Sequence, residues 1–264
     1  MNWYRTMQGR HPAFAMNGTA MLAVLLLCLA AMPFDGRQLG GLSVWIKPAK
    51  FAASLGLWFW TLAWLWPAIG PIARRGWLAR LAVPVMLGCA WFELTYIVGR
   101  GALGLPSHFA TGDLFSALMF ALMGLASTLL VLLVAALGLL ILLRGNPDMP
   151  ALPRRAAGWG MLLTGVLGGA AGWAIAIHGG PWVGGAPGYT GAMPPFYWSR
   201  EAGDLRVAHF LGMHAMQVLP LAAWATARWW PRRAQPAWVA ATLAWCLVTV
   251  ASLAQALLGR PFSL

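Results

Sequence analysis

The chain is 264 residues long; 60% of its residues are apolar and only 9% are charged. Its mean hydropathy is +0.69, and this balance excludes an ordinary soluble domain. The formal net charge of +12 does not indicate nucleic-acid binding, because no nucleic-acid motif and no soluble basic domain accompany it. The composition therefore predicts an all-α, polytopic membrane protein whose main partner is the lipid bilayer.

A transmembrane helix needs about 20 mainly apolar residues. Seven stretches reach or approach that length, at about 18–33, 51–70, 81–98, 114–143, 156–178, 205–226 and 237–259. We predict one transmembrane domain of seven helices over residues 1–264, with the Gly-, Pro- and aromatic-rich loop 179–204 as a lid over an outer pocket. The first stretch also has the features of a cleavable signal peptide, since it is short and follows two arginines.

Basic residues are distributed unevenly between the two predicted sides of the membrane. One set of alternate loops holds eleven arginines and a single acidic residue, Asp148, whereas the other set holds seven basic and four acidic residues. Because cytoplasmic loops carry the excess of lysine and arginine, the N-terminus is predicted inside and the C-terminus outside. We expect a bacterial-type inner membrane, with the basic loops facing anionic lipid headgroups.

Several familiar classes of site are missing from the sequence. Cys28, Cys89 and Cys246 all lie within predicted spans and show no CxxC spacing, which argues against a zinc site or a disulfide framework. No P-loop, GxSxG or HExxH motif occurs. The last span contains no lysine that could form a Schiff base, so a retinal protein is excluded.

The third span carries a polar stripe near its outer end. Cys89, Glu93, Tyr96 and Arg100 recur at helical spacing and share one face. Glu93 falls roughly a turn and a half below the outer end of the span. Ionisable groups at such depth are costly and usually mark a functional site, so Glu93 is a candidate catalytic residue or metal ligand. The alternative is a structural ion pair with Arg100 or a nearby lysine.

The sixth span opens with a second polar face. With His209 placed at 0° on a continuous helix, Gln217 falls near 80° and His214 near 140°. The two histidines border one face and are candidate metal or cofactor ligands, with His214 also a candidate catalytic group. Pro220 removes an intrahelical donor beside that face. The alternative is a pair of interior histidines that hydrogen bond with neighbouring helices.

Two further histidines lie near the same outer side. His178 ends the fifth span at a depth similar to that of His209, which would place two imidazoles on either side of a haem or a metal ion. His108 precedes Asp113, which is predicted to cap the fourth helix. Both histidines could equally be interfacial polar groups. His11, near the cytoplasmic N-terminus, is not expected to take part.

The second span begins with the only lysines in the chain, Lys47 and Lys50. Both lysines lie on the same helical face as Trp58. The two lysines are about one turn apart at the start of the helix. Two ammonium groups at a helix N-terminus favour an anion, because the helix dipole and the free N–H groups add to their charge. The alternative is that both lysines extend to lipid headgroups.

Three function classes fit this outer cluster. The first is a transition-metal- or haem-dependent enzyme that acts on a small anionic or lipid-like substrate. The second is a proton-coupled transporter of a small anion, and the third is a non-catalytic membrane subunit or assembly factor. In the first class the metal ligands would be His178, His209, His214 and Glu93, and the anion would contact Lys47, Lys50, Arg100 and Gln217.

Overall fold

The computed structural model describes residues 3–185, 189 and 191–262. The fold is mostly helical, at 75%. The helices are α1 Trp3–Arg10, α2 Pro12–Ala31, α3 Ile46–Leu65, α4 Pro71–Arg74, α5 Trp77–Ala102, α6 Leu114–Arg144, α7 Ala151–Leu163, α8 Gly169–Ile177, α9 Leu205–Met213, α10 Ala215–Trp229 and α11 Ala234–Leu257. Short 3-10 turns cover Met32–Phe34, Trp66–Ala68 and Pro231–Arg233, and a π-helical turn covers Thr164–Gly168. Two small antiparallel hairpins pair β1 Gln38–Leu39 with β2 Leu42–Ser43, and β3 Trp182–Val183 with β4 Gly203–Asp204.

Within the described residues, five helical segments are long and apolar enough to cross a membrane: Pro12–Phe34, Trp77–Ala102, Leu114–Arg144, Ala151–Ile177 and Pro231–Leu257. They coincide with the first, third, fourth, fifth and seventh predicted spans, which supports the prediction of an all-α membrane protein. The count of seven is not confirmed. The second predicted span is α3, whose lysines and tryptophans make it less apolar, and the sixth is divided between α9 and α10.

The chain divides into two compact units. Unit 1 comprises Met1–Pro67 and Arg80–Leu130, and unit 2 comprises Ala68–Ala79 and Val131–Leu264. Each unit has its own packing, and each holds part of the predicted polar cluster. The units are therefore described one at a time.

Unit 1 is built around the close packing of α2 against α3. A Cβ atom on Gly18 would lie 3.0 Å from the carbonyl oxygen of Gly56, so the two backbones approach each other where neither residue has a side chain. On another face of α2, the Trp91 indole of α5 donates a hydrogen bond of 2.8 Å to the Asn17 side chain. Unit 1 is thus joined by small residues and by polar contacts between helices.

Two helical irregularities face each other in unit 2. The fifth predicted span contains the π-helical turn Thr164–Gly168, and the sixth is interrupted at His214. Gly212 packs directly on the π-turn, since a Cβ atom there would lie 2.4 Å from the backbone nitrogen of Gly168. The irregular backbones therefore fit against each other at one level of the bundle.

The described part of loop 179–204 is anchored at its end by a buried ion pair. Asp204 is 2% exposed and accepts hydrogen bonds from the Arg206 side chain and from the backbone N–H of Ser199. Arg206 also donates to the carbonyl of Tyr197 at 2.7 Å. A closing function for this loop stays a prediction, and residues 186–188 and 190 lie outside the described part of the chain.

Candidate functional site

The predicted site residues belong to both units. Unit 1 contains one set, which consists of Glu93, Lys47, Lys50, Arg100 and His108. Unit 2 contains the other set, which consists of His178, His209, His214 and Gln217. Each set is therefore assessed within its own unit.

Glu93 is a buried carboxyl group. It lies nine residues before Ala102, the last residue of α5, which places it about 13 Å from the helix end at 1.5 Å per residue. Only 4% of Glu93 is exposed, and its Oε1 has no hydrogen-bond partner within the residues that the structure describes. Neither of the two ion pairs in the described part of the chain joins Glu93 to Arg100, and Arg100 donates from Nε to the carbonyl of Pro106 at 2.9 Å.

Unit 1 contains further buried polar atoms of the same kind. The hydroxyl of Tyr96 and the indole nitrogen of Trp58 both lack a partner among the described residues. They lie on α5 and α3, and a buried donor or acceptor left unpaired costs about 1–3 kcal/mol. Trp58 could have been found, since it falls on the same helical face as the lysines.

The N-terminal end of α3 concentrates positive charge. Lys47 lies in the first turn of α3, and neither of the two ion pairs found in the described part of the chain involves it. The His108 ring packs against Phe51 and Phe120, with centroid distances of 5.5 and 6.1 Å. Burial, followed by the charge of Lys47, lowers the pKa of His108 to about 3. A neutral imidazole thus lies beside a cationic helix terminus.

The predicted cap of the fourth helix is confirmed. The Asp113 carboxylate accepts a hydrogen bond of 2.9 Å from the backbone N–H of Ser116, as an N-terminal capping residue does. The hydrogen bonds from Ser116 also lower the pKa of Asp113. Asp113 therefore stabilises the start of α6.

In unit 2, the His209 ring has a defined orientation. Its Nδ1 lies 2.9 Å from the carbonyl oxygen of Gly168. His214 lies at the junction of α9 and α10, where its ring packs on Phe210 with a centroid distance of 4.2 Å and hydrogen bonds with the side chain of Gln217. The sequence pattern placed His214 and Gln217 at fixed angles around the helix axis from His209. Those angles are wrong, because they assumed one continuous helix.

The interruption at His214 has an identifiable cause. The backbone N–H of Met216 donates to the hydroxyl of Thr164 at 2.9 Å, so it does not continue the intrahelical pattern towards Gly212. The same hydroxyl lies 3.5 Å from the carbonyl of Met213. Pro220 then removes the next turn's donor. Sequence reasoning noticed the proline but had no way to find Thr164, which acts from a different helix.

His178 follows the last residue of α8 and is exposed. Its Nε2 lies 2.8 Å from the carbonyl oxygen of Trp182. His178 and His209 thus each contact a backbone carbonyl, and a haem between them stays a prediction. In the described part of the chain, no group of three or more His, Cys, Asp or Glu side chains is arranged to hold a metal ion.

Comparison of the chain with protein-family models, with curated proteins and with solved structures finds no match.

Proposed function

We propose that this chain is a multi-pass membrane carrier in which Glu93 exchanges a proton while a small anionic or lipid-like ligand binds near the outer end of unit 1. The observation that carries the proposal is the buried Glu93 carboxyl, whose Oε1 has no partner among the described residues. An isolated buried carboxylate is very unfavourable, so such a group is held as the neutral acid or is paired when a ligand arrives. Either state makes Glu93 a reversible proton site.

The lysines at the start of α3 support an anionic ligand. Lys47 has no carboxylate partner within the described residues, and Lys50 lies close enough for the two charges to interact. The first turn of a helix adds unpaired backbone N–H groups and the positive end of its dipole. A phosphate or carboxylate would offset the repulsion between the two ammonium groups.

The divided span in unit 2 also supports a carrier. Discontinuous helices are common in membrane transporters, where they lie next to bound substrates and allow one part to move. We propose that α3 crosses the membrane as the second span, and that α9 and α10 together cross as the sixth. The proposed topology has seven spans in a bacterial inner membrane, with the N-terminus in the cytoplasm and the polar groups nearer the outer face.

Infrared spectroscopy tests directly whether the Glu93 carboxyl is held as the neutral acid. The purified protein should show the carbonyl band of a protonated carboxylic acid at neutral pH, and Glu93→Gln should remove it. Glu201→Gln serves as the matched control, because Glu201 is exposed in the loop before α9. If the band is absent from the unchanged protein, or survives in Glu93→Gln, Glu93 is not a neutral acid and the proposal loses its basis.

Transport is measured in proteoliposomes that contain a pH-sensitive dye. Outward or inward gradients of inorganic phosphate, a dicarboxylate and an alkyl phosphate are applied in turn. We expect one of these anions to drive a change of internal pH that Glu93→Gln abolishes and Glu201→Gln preserves. Lys47→Met should weaken the response to the anion without removing the infrared band. Proton movement that is equal in Glu93→Gln and the unchanged protein would contradict the proposal.

A further inference from the structure

His209 is held in one tautomer by its hydrogen bond. A backbone carbonyl can only accept, so the contact of 2.9 Å between His209 Nδ1 and the Gly168 oxygen places the ring proton on Nδ1. The lone pair of the neutral ring is then on Nε2, and no described residue hydrogen bonds with Nε2. Histidines that bind metals have the same arrangement, in which the second ring nitrogen donates to a carbonyl and orients the first.

A thioether lies beside this ring. Met213 follows His209 by four residues within the continuous helix α9, so the two side chains share one face. A Cβ atom on Gly168 would lie 2.8 Å from Met213 Sδ, and one on Gly172 would lie 3.2 Å from the His209 ring. The imidazole and the sulfur therefore occupy neighbouring spaces left open by two glycines of the facing helix.

The donor set favours one type of metal. Zinc takes four ligands from Cys, His, Asp and Glu, and within the described residues no group of three such side chains is assembled. Thioether sulfur is a soft donor that selects Cu(I), and imidazole also binds copper. Cu(I) is stable with few ligands, so it suits a site with one imidazole and one thioether.

We propose that His209 Nε2 and Met213 Sδ bind Cu(I) in unit 2. His214 follows Met213 directly and lies close enough to His209 for their charges to interact. Gly168 supports the site from the facing helix through its carbonyl group. The site does not depend on the carrier function of Glu93, since all of its groups belong to unit 2.

Binding is tested by titrating Cu(I), kept reduced with ascorbate under anaerobic conditions, against the competing chelator bicinchoninate. The full chain is used with Cys28, Cys89 and Cys246 changed to Ala, because thiolates would bind Cu(I) elsewhere. Met213→Leu removes the sulfur at nearly constant volume. His209→Asn keeps an N–H donor in the place of Nδ1 and removes Nε2. Met161→Leu changes a different methionine of unit 2, which is buried, and is the matched control.

We expect one bound Cu(I) per chain. Met213→Leu or His209→Asn should weaken the affinity for Cu(I) about 100-fold or more. A loss of that size exceeds the effect of removing a hydrogen bond that only supports a ligand. Met161→Leu should bind like the parent protein. X-ray absorption at the copper edge should show sulfur and nitrogen neighbours, with the sulfur lost in Met213→Leu. Melting temperatures without copper identify any variant that fails to fold.

Three results would overturn the site. These results are saturation of the parent protein by less than one Cu(I) per chain, binding by both variants that equals that of Met161→Leu, and copper–sulfur scattering that persists in Met213→Leu. Each result would mean that His209 and Met213 do not act together on a soft metal. The proteoliposome assay on Glu93→Gln is independent of all three, so the two proposals can fail separately.

Discussion

Asp35 shows how a single side chain joins several segments of unit 1. Its carboxylate accepts hydrogen bonds from Arg37 Nη2 at 2.7 Å and from the Trp45 indole at 2.9 Å. Arg37 in turn donates to the carbonyl of Ala102 at the end of α5. The hydrogen bonds from Arg37 hold the pKa of Asp35 well below its ordinary value. The ionised form is therefore the one that the folded state stabilises.

We expect Asp35→Asn to lower the melting temperature at neutral pH and to matter less in acid. A carboxyl whose pKa is lower in the folded state stabilises the protein above its unfolded pKa of about 4 and loses that contribution as the pH falls. The difference in melting temperature between the variant and the unchanged protein should begin to narrow only below about pH 4, and it should keep narrowing at still lower pH. Asp148→Asn, at an exposed carboxyl, is the control. A constant difference at all pH values would show that the charge is not what matters.

His108 should make unit 1 sensitive to mild acid. Its pKa is about 3 in the folded state because of burial and the charge of Lys47, against about 6.5 in an unfolded chain. Between these values the unfolded state binds the extra proton, so stability is complete above about pH 6.5 and falls as the pH decreases. His108→Phe keeps an aromatic ring beside Phe51 and Phe120 and removes the titrating group.

The melting temperature of the unchanged protein should therefore fall more between pH 7 and pH 5 than that of His108→Phe. The control is His178→Gln, since His178 is exposed at the end of α8, and it should behave like the unchanged protein. Equal slopes for His108→Phe and the unchanged protein would mean that His108 already titrates normally in the fold.

The junction of α9 and α10 depends on a hydroxyl from another helix. Thr164→Val would leave the Met216 N–H without its acceptor at 2.9 Å, and an unpaired buried donor costs about 1–3 kcal/mol. Thr249→Val is the matched control, because Thr249 is also buried in unit 2 but donates to Trp245 within its own helix. Denaturant or thermal unfolding should show a larger loss of unfolding free energy for Thr164→Val than for Thr249→Val. Equal losses would mean that the interruption at His214 is maintained by Pro220 alone.

The contact between α9 and the π-turn requires a glycine. In Gly212→Ala the new methyl would lie 2.4 Å from the backbone nitrogen of Gly168, and neither backbone can move aside cheaply. We expect Gly212→Ala to lose about 1–3 kcal/mol or more of unfolding free energy. In Gly88→Ala nothing lies within 4 Å of the new atom, so that variant should be neutral or stabilised by up to about 1 kcal/mol. Comparable melting temperatures for the two variants would contradict this packing.

At the scale of the whole molecule, the open question is whether α3 and the α9–α10 pair cross the membrane. Single cysteines are placed in a background lacking the three natural ones, at Gly36, Arg75, Glu201 and Arg232. With seven spans, a membrane-impermeant thiol reagent should label cysteines at Gly36 and Glu201 from outside intact cells. Cysteines at Arg75 and Arg232 should react only after permeabilisation. Labelling of Gly36→Cys and Arg75→Cys from the same side would show that α3 does not cross.

The sequence alone indicated an all-α membrane protein and singled out several polar residues in its apolar segments. Long apolar runs must be helical in a bilayer, because a helix satisfies every backbone hydrogen bond within the segment. The same reasoning selected Glu93, since a carboxyl so deep in an apolar run is costly wherever the helix packs. The Asp113 cap was also predictable, because capping involves only neighbouring residues.

Only the tertiary structure decided how the polar groups are paired. The Thr164 hydroxyl that interrupts α9–α10 and the Gly168 carbonyl that orients His209 both come from a different segment of the chain. Hydrophobic periodicity describes one helix at a time, so the sequence predicted a continuous sixth span and gave no signal for Thr164. A hydrogen bond depends on which atoms of separate helices lie within about 3 Å of each other, and that is fixed by packing.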